Sequence, residues 1–241
     1  MTTFLLIPGA WHGPWCWERV VPRLEAAGHA AIAPALPGMG HDSAALAGVT
    51  LEGWARFVAA RVAEQGEPVT LVGHSRGGIL ISQAAEYVPE RIGTLVYLAA
   101  FLVPDGETMR TTLARTPRER PAEPDYDMTA DGHAYRLRPE AVARTFYTGT
   151  EPAWQARAAS EALLEPVTLV NAPLSLTPQR FGRVRRTYIE CTEDRAIPLA
   201  AQRAMQAALP CAAVESLAAD HSPFFSTPDA LTESLLRLTV G

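Results

Sequence analysis

This 241-residue chain predicts an α/β fold, a mostly parallel sheet covered by helices on both faces. Two observations carry that expectation. Short apolar runs alternate with stretches of helical spacing at both ends of the chain. One run, residues 69–72, leads through Gly73-His74-Ser75-Arg76-Gly77 into an apolar, helix-compatible stretch at 79–87.

Taken in order, residues 4–7 read as a buried strand, 15–27 have helical character and 30–33 read as a strand. Residues 51–65 are helical, with Trp54, Val58 and Val62 on one face. The strand 69–72, the helix after it and the strand 94–99 continue the pattern. From about Pro104 to Pro178 the alternation breaks. Turn breakers, a polar stretch at 118–131 and two helix-like patterns, 139–147 and 152–164, fill this segment. Pro139 suits a first helical turn. We read 104–178 as a mainly helical cap inserted into a single domain, 1–241. Ligands in α/β folds sit beyond the carboxyl ends of the strands, so a cap there shapes the pocket and excludes water. Strands at 186–190 and 212–217 and a helix at 229–238 close the chain, which has no internal repeats.

Composition narrows the function classes. A hydrophobic content of 48% and a mean hydropathy of +0.01 fit neither disorder nor a membrane span. The net charge of −5 leaves no footprint for nucleic acid. No lysine is present, so every cationic side chain counted is arginine. The start, Met1-Thr2-Thr3-Phe4, has no basic region, and its apolar run stops at Pro8, unlike a signal peptide. Cys16, Cys191 and Cys211 are too few and irregular for a disulfide framework, which predicts a cytoplasmic setting. The expected partner is a small molecule; the oligomeric state, a homodimer included, is left open.

Strand, Gly-x-Ser-x-Gly, helix is the context of a nucleophile elbow, with Ser75 as nucleophile. Side chains at Gly73 and Gly77 would collide with the neighbouring strand and helix. A serine is weak at its free pKa and needs a base with an orienting acid, here in the order Ser, acid, His. His221 follows the last expected strand in a loop, and Asp194 follows the penultimate one in Cys191-Thr192-Glu193-Asp194. Asp105 is the second candidate acid; Glu193 would point the other way, and Asp220 is too close to His221 to reach its ring. His12 reads as a structural partner, and His74 turns away from substrate. The other histidines read as structural or solvated, and none is spaced as a metal ligand, so neither metal nor cofactor is expected. The loop after the first strand offers the Ala10 amide as an oxyanion donor, and the elbow offers that of Arg76. Trp11, Phe101, Phe146, Tyr147, Trp154 and Phe224 are candidate pocket residues. Arg110, Arg115, Arg118 and Arg120 read as a solvated mixed-charge face.

The chain resembles the α/β-hydrolase superfamily, and within it the branch of plant methylesterases, hydroxynitrile lyases and bacterial esterases including pyrethroid hydrolases. The resemblance rests on the run from Pro8-Gly9-Ala10-Trp11 to Trp17, Leu36-Pro37-Gly38-Met39-Gly40, Gly73-His74-Ser75-Arg76-Gly77-Gly78, Cys191-Thr192-Glu193-Asp194-Arg195-Ala196-Ile197-Pro198 and Asp220-His221-Ser222-Pro223. It covers both ends of the chain and is weak in the middle. It implies a Ser75–Asp194–His221 triad, with Ala10 and Arg76 as oxyanion donors. Two departures stand out. Pro8-Gly9 replaces the family's usual His-Gly. The S-selective lyases of the branch carry threonine where Gly9 stands and lysine where Ser222 stands; the R-selective ones carry asparagine at the former. The expectation is therefore a serine carboxylesterase for small apolar or aromatic esters. Alternatives on the same triad are a lactonase or a C–C lyase or cyclase of secondary metabolism. An alternative of another class is a ligand receptor without turnover.

Overall fold

All the strands expected at the two ends of the chain join one sheet in the computed structural model, which describes residues 1–116 and 123–239. In chain order the elements begin with β1 (Thr3–Ile7), α1 (Val21–Ala26), β2 (Ala30–Ile32), α2 (Leu51–Ala63), β3 (Val69–His74), α3 (Gly77–Tyr87) and β4 (Ile92–Leu98). Residues 104–178, the segment expected to form a cap, hold α4 (Met109–Arg115), β5 (Tyr126–Met128), β6 (Ala134–Leu137), α5 (Pro139–Ala141), α6 (Pro152–Glu161) and β7 (Glu165–Pro166). The chain closes with β8 (Arg186–Cys191), α7 (Leu199–Ala208), β9 (Ala213–Leu217), α8 (Pro223–Ser226) and α9 (Pro228–Thr239).

The main sheet runs β2-β1-β3-β4-β8-β9, parallel at every pairing. Helices cover both faces, so its central strands are apolar on both sides. Alternate residues enter different cores. Leu5, Ile7, Leu95 and Tyr97 pack in one, and Phe4, Leu6, Val96 and Leu98 in the other. That is the period of two expected of a strand.

Three local expectations differ. Residues 15–27 do not form one helix: a 3-10 turn, Pro14–Trp17, precedes α1. Pro22 lacks an N–H and fits only a first turn, so the helix restarts there. Helix α7 lies in a stretch to which the sequence reading assigned nothing. The segment 104–178 adds to its helices a three-stranded antiparallel sheet, β5-β6-β7. These strands have three, four and two residues, too short for an alternating pattern to register. Arg118 and Arg120 lie outside the described residues. Arg110 hydrogen-bonds Asn171, and Arg115 pairs with Glu107, both at exposed positions.

Among the described residues no helix is long and apolar enough to cross a membrane. None of the three cysteines is paired; Cys16 and Cys191 are buried. The loops after β1, β3, β8 and β9 all leave the same, carboxyl edge of the sheet, as does the cap segment after β4. Ala10, Ser75, Asp194 and His221 stand on those four loops.

Candidate active site

Ser75 sits between β3 and α3 with φ of 51°, in the left-handed region that a non-glycine residue enters only under constraint. Two hydrogen bonds to its carbonyl, from Gly78 N (3.1 Å) and Phe101 N (3.0 Å), hold the turn, and Ser75 N donates to Leu98 O at 3.2 Å. The flanking glycines have no alternative. A Cβ on Gly73 would lie 2.8 Å from Gly77 O, and one on Gly77 would lie 2.8 Å from Ile7 O. Close packing of the turn against β1 and α3 therefore presents the serine hydroxyl at the carboxyl edge of the sheet.

His221 Nδ1 lies 2.7 Å from Asp194 Oδ2, and both side chains are buried. Asp194 Oδ1 accepts the amides of Ala196 and Ile197, each at 2.8 Å. Gln202 of α7 steadies the same loop. Its amide nitrogen donates to Cys191 O, Ile197 O and, at 3.3 Å, Asp194 Oδ2. An acceptor on Nδ1 fixes the proton there and leaves Nε2 as the basic nitrogen. His74 donates from Nε2 to His221 O at 2.8 Å. Burial lowers the His74 pKa well below the ordinary value, so the ring is neutral.

The loop after β1 is equally constrained. Trp11 has φ of 61°. Burial lowers the His12 pKa to about 3, so this ring is also neutral. His12 Nδ1 donates to Ala10 O, while Nε2 accepts the Tyr147 hydroxyl proton. Gly9 O accepts from Arg76 Nη2 at 2.9 Å. Among the described residues neither the Ala10 nor the Arg76 amide donates a hydrogen bond within the protein. Both residues line the cavity in which Ser75 stands. Two amides without a partner in residues that line one cavity with a strained serine are of the kind that could receive an oxyanion.

That cavity has a volume of about 160 Å³. Trp11, Phe101, Phe146, Tyr126 and Tyr135 give it aromatic wall, and Trp11 packs edge-on to Phe146 with centroids 5.4 Å apart. Its charged wall groups are Asp125, Glu165 and Arg76. Each acid is already engaged: Asp125 by Arg144 and Thr145, Glu165 by Arg76. Burial pushes the Glu165 carboxyl up, against the opposing pull of Arg76 and the Trp11 backbone N–H. Among the described residues no group of three or more His, Cys, Asp or Glu side chains is arranged to hold a metal ion.

The family model described as "Alpha/beta hydrolase family" matches residues 4–234. The chain belongs to the alpha/beta hydrolase family. This hydrolase is 32% identical over 248 residues to Methylesterase 7 of Arabidopsis thaliana, covering 98% of this chain and 95% of that protein. It is 33% identical over 257 residues to Salicylic acid-binding protein 2 of Nicotiana tabacum, covering 98% and 96%. Among solved structures, a pyrethroid hydrolase from Sphingobium faniae JZ-2 superposes with a TM-score of 0.83 at 30% identity, covering 99% of this chain and 97% of that one.

The hydrolase brings Ser75, Asp194, His221, Ala10 and Arg76 to one edge, with Trp11, Phe101 and Phe146 in the cavity wall. Three expected pocket residues are elsewhere. Tyr147 is buried behind His12, where its hydroxyl serves the loop. Phe224 is wholly buried, edge-on to His74 and Trp17. Trp154 stacks on Phe225 at 4.8 Å, with Arg19 5.2 Å from its ring. The rival acids also have other partners. Asp105 accepts the Leu176 amide at 2.7 Å, and Glu193 is exposed. Asp220 accepts from Gly149 N and Thr150 Oγ1 on one oxygen and from Ser222 N and Ser226 Oγ on the other. Sequence reasoning missed Glu165, Tyr126 and Tyr135, which come from the small cap sheet, and Gln202. Nothing in their local sequence marks them; only the pairing of β5, β6 and β7 brings the first three to the cavity.

Proposed function

We propose that this hydrolase is a serine carboxylesterase acting on small apolar, preferably aromatic, esters through an acyl-enzyme. The observation that carries the reading is the buried Asp194–His221 hydrogen bond at the same sheet edge as a serine on a strained elbow, whose cavity is also lined by Ala10 and Arg76. In this mechanism His221 Nε2 takes the Ser75 proton as Oγ adds to the ester carbonyl. The oxyanion rests on the Ala10 and Arg76 amides while Asp194 stabilises the imidazolium. His221 then protonates the departing alkoxide. Water, activated by the same imidazole, cleaves the acyl-enzyme and releases the acid. The aromatic wall supports an apolar acyl or alcohol group. Relatives named as a methylesterase and a pyrethroid hydrolase support ester chemistry.

Cyanohydrin cleavage is disfavoured on a steric ground as well as a chemical one. A Cβ on Gly9 would lie 2.7 Å from His74 Nδ1 and 2.9 Å from Ser75 Cβ, so no threonine or asparagine fits without a shift. Ser222, where the S-selective lyases place lysine, is buried. The test is product analysis by mass spectrometry on panels of methyl and phenyl esters, lactones and cyanohydrins. Acid and alcohol released from the esters alone support the reading; turnover confined to lactones or cyanohydrins overturns it.

A further inference from the structure

We propose that the Arg76 side chain is a positioning residue of the oxyanion hole, holding the Gly9–Ala10 peptide by its carbonyl and tying it to the cap through Glu165. This inference rests on the esterase reading above. Arg76 Nη2 donates to Gly9 O at 2.9 Å. The Gly9–Ala10 peptide is trans, so its C=O and N–H point in opposite directions. Fixing the carbonyl therefore aims the Ala10 N–H toward the cavity that Ala10 lines. The guanidinium also polarises the peptide, and a polarised peptide is a stronger N–H donor. The second donor is the amide of Arg76 itself. One residue thus sets both halves of the hole, one with its backbone and the other with its side chain.

The guanidinium is in turn held from the cap. Nε and Nη2 donate to the two oxygens of Glu165 at 2.9 and 3.2 Å, a two-point contact with both side chains almost fully buried. The ring of Trp54 lies 4.9 Å beyond the guanidinium carbon. Glu165 opens β7, the strand that completes the cap sheet against β6. Seating of the cap and geometry of the hole share this one ion pair. Lysine at 76 has no planar fork and cannot reproduce the two-point contact with Glu165.

The experiment compares the parent, Ser75→Ala, Glu165→Gln and the double variant Arg76→Leu/Glu165→Leu. It reads kcat and KM on a p-nitrophenyl ester, the pH midpoint of kcat/KM, and Ki for an aryl trifluoromethyl ketone. In the ketone adduct Ser75 Oγ bonds to the carbonyl carbon, its proton passes to His221, and the oxygen becomes an oxyanion in the hole. The double variant leaves no unpaired buried charge and keeps both backbone amides, so it is built to fold. Its kcat is expected to fall about 10- to 100-fold at near-parental KM, as for a displaced oxyanion donor. Ki is expected to rise by the same factor while the pH midpoint holds. Glu165→Gln keeps the side-chain volume and one acceptor, and its kcat and Ki are expected to worsen together by roughly three- to tenfold. Should the double variant fail to fold, Glu165→Gln decides. Parental kcat and Ki in the folded variants, or a rise in KM alone, overturn the proposal. A parent without turnover, or a Ser75→Ala variant that retains it, instead overturns the esterase reading beneath it.

Discussion

Asp194 meets His221 with one oxygen only: Oδ2 stands 2.7 Å from Nδ1, while Oδ1 is tied to two backbone amides in its own loop. The carboxylate cannot swing, so the imidazole is held in one tautomer and one orientation. Asp194→Asn is expected to lower kcat by about 10²- to 10⁴-fold, because an amide at this position favours the wrong tautomer. Asp105→Asn should leave turnover near parental, since Asp105 caps the Leu176 amide and not the base. Steady-state kinetics on both variants checks the assignment; the reverse pattern would transfer the acid role to Asp105.

The cavity wall predicts a split among aromatic substitutions. Phe146→Ala enlarges the pocket beside the base, from which its ring centroid is 5.6 Å. KM for aromatic esters should rise by about tenfold, the scale of losing part of a buried hydrophobic contact. Trp154→Ala touches only the stack on Phe225 and the nearby arginines, so KM should hold. A KM series across acetate, butyrate and benzoate esters separates the two. Equal effects from both substitutions would place Trp154 in the binding path after all.

Gly9 is sterically closed. Gly9→Thr should destabilise the protein by about 1–3 kcal/mol through overpacking against His74 and Ser75. Ester hydrolysis should drop, and no cyanohydrin cleavage should appear. Denaturant melts with activity on both substrate types measure this. A variant of parental stability that cleaves cyanohydrins would show that the space beside Gly9 admits a side chain.

The buried neutral histidines give a stability profile with a defined sign. His12 is lowered to about 3 and His74 well below its ordinary value, both chiefly by burial. Below the unfolded value near 6.5 the unfolded chain takes up protons that the folded chain refuses, so stability falls as pH falls. Two such groups give as much as ~2.7 kcal/mol per pH unit at the steepest. Urea midpoints measured from pH 7.5 to 4.5 should decline throughout the lower half of that range. A flat profile would mean that both rings take up protons in the folded state as readily as in the unfolded chain.

Much of the fold and of the candidate site was legible because each part leaves a local mark. A strand leading into Gly73-His74-Ser75-Arg76-Gly77 announces a turn that only glycine neighbours permit. Asp194 and His221 each follow an apolar run, so their place at the sheet's carboxyl edge follows from the alternation itself. What stayed hidden depends on pairing distant segments. Glu165 looks like any surface acid until β7 joins β6 and carries it to Arg76. Tyr147 and Trp154 share the composition of pocket aromatics but face His12 and Phe225. Helix periodicity reports that a residue is buried, not which of two faces receives it.

The proposed function stands or falls with Ser75 as the nucleophile of an ester hydrolysis. The measurement that tests it most directly is hydrolysis of p-nitrophenyl acetate and butyrate by the parent and Ser75→Ala. Fluorophosphonate labelling of both proteins is mapped by peptide mass spectrometry on the same samples. Turnover and a label on the Ser75 peptide are expected in the parent, with at least about a thousandfold loss of kcat and no label in the variant. Near-parental turnover by Ser75→Ala, or a label on another residue, would contradict it.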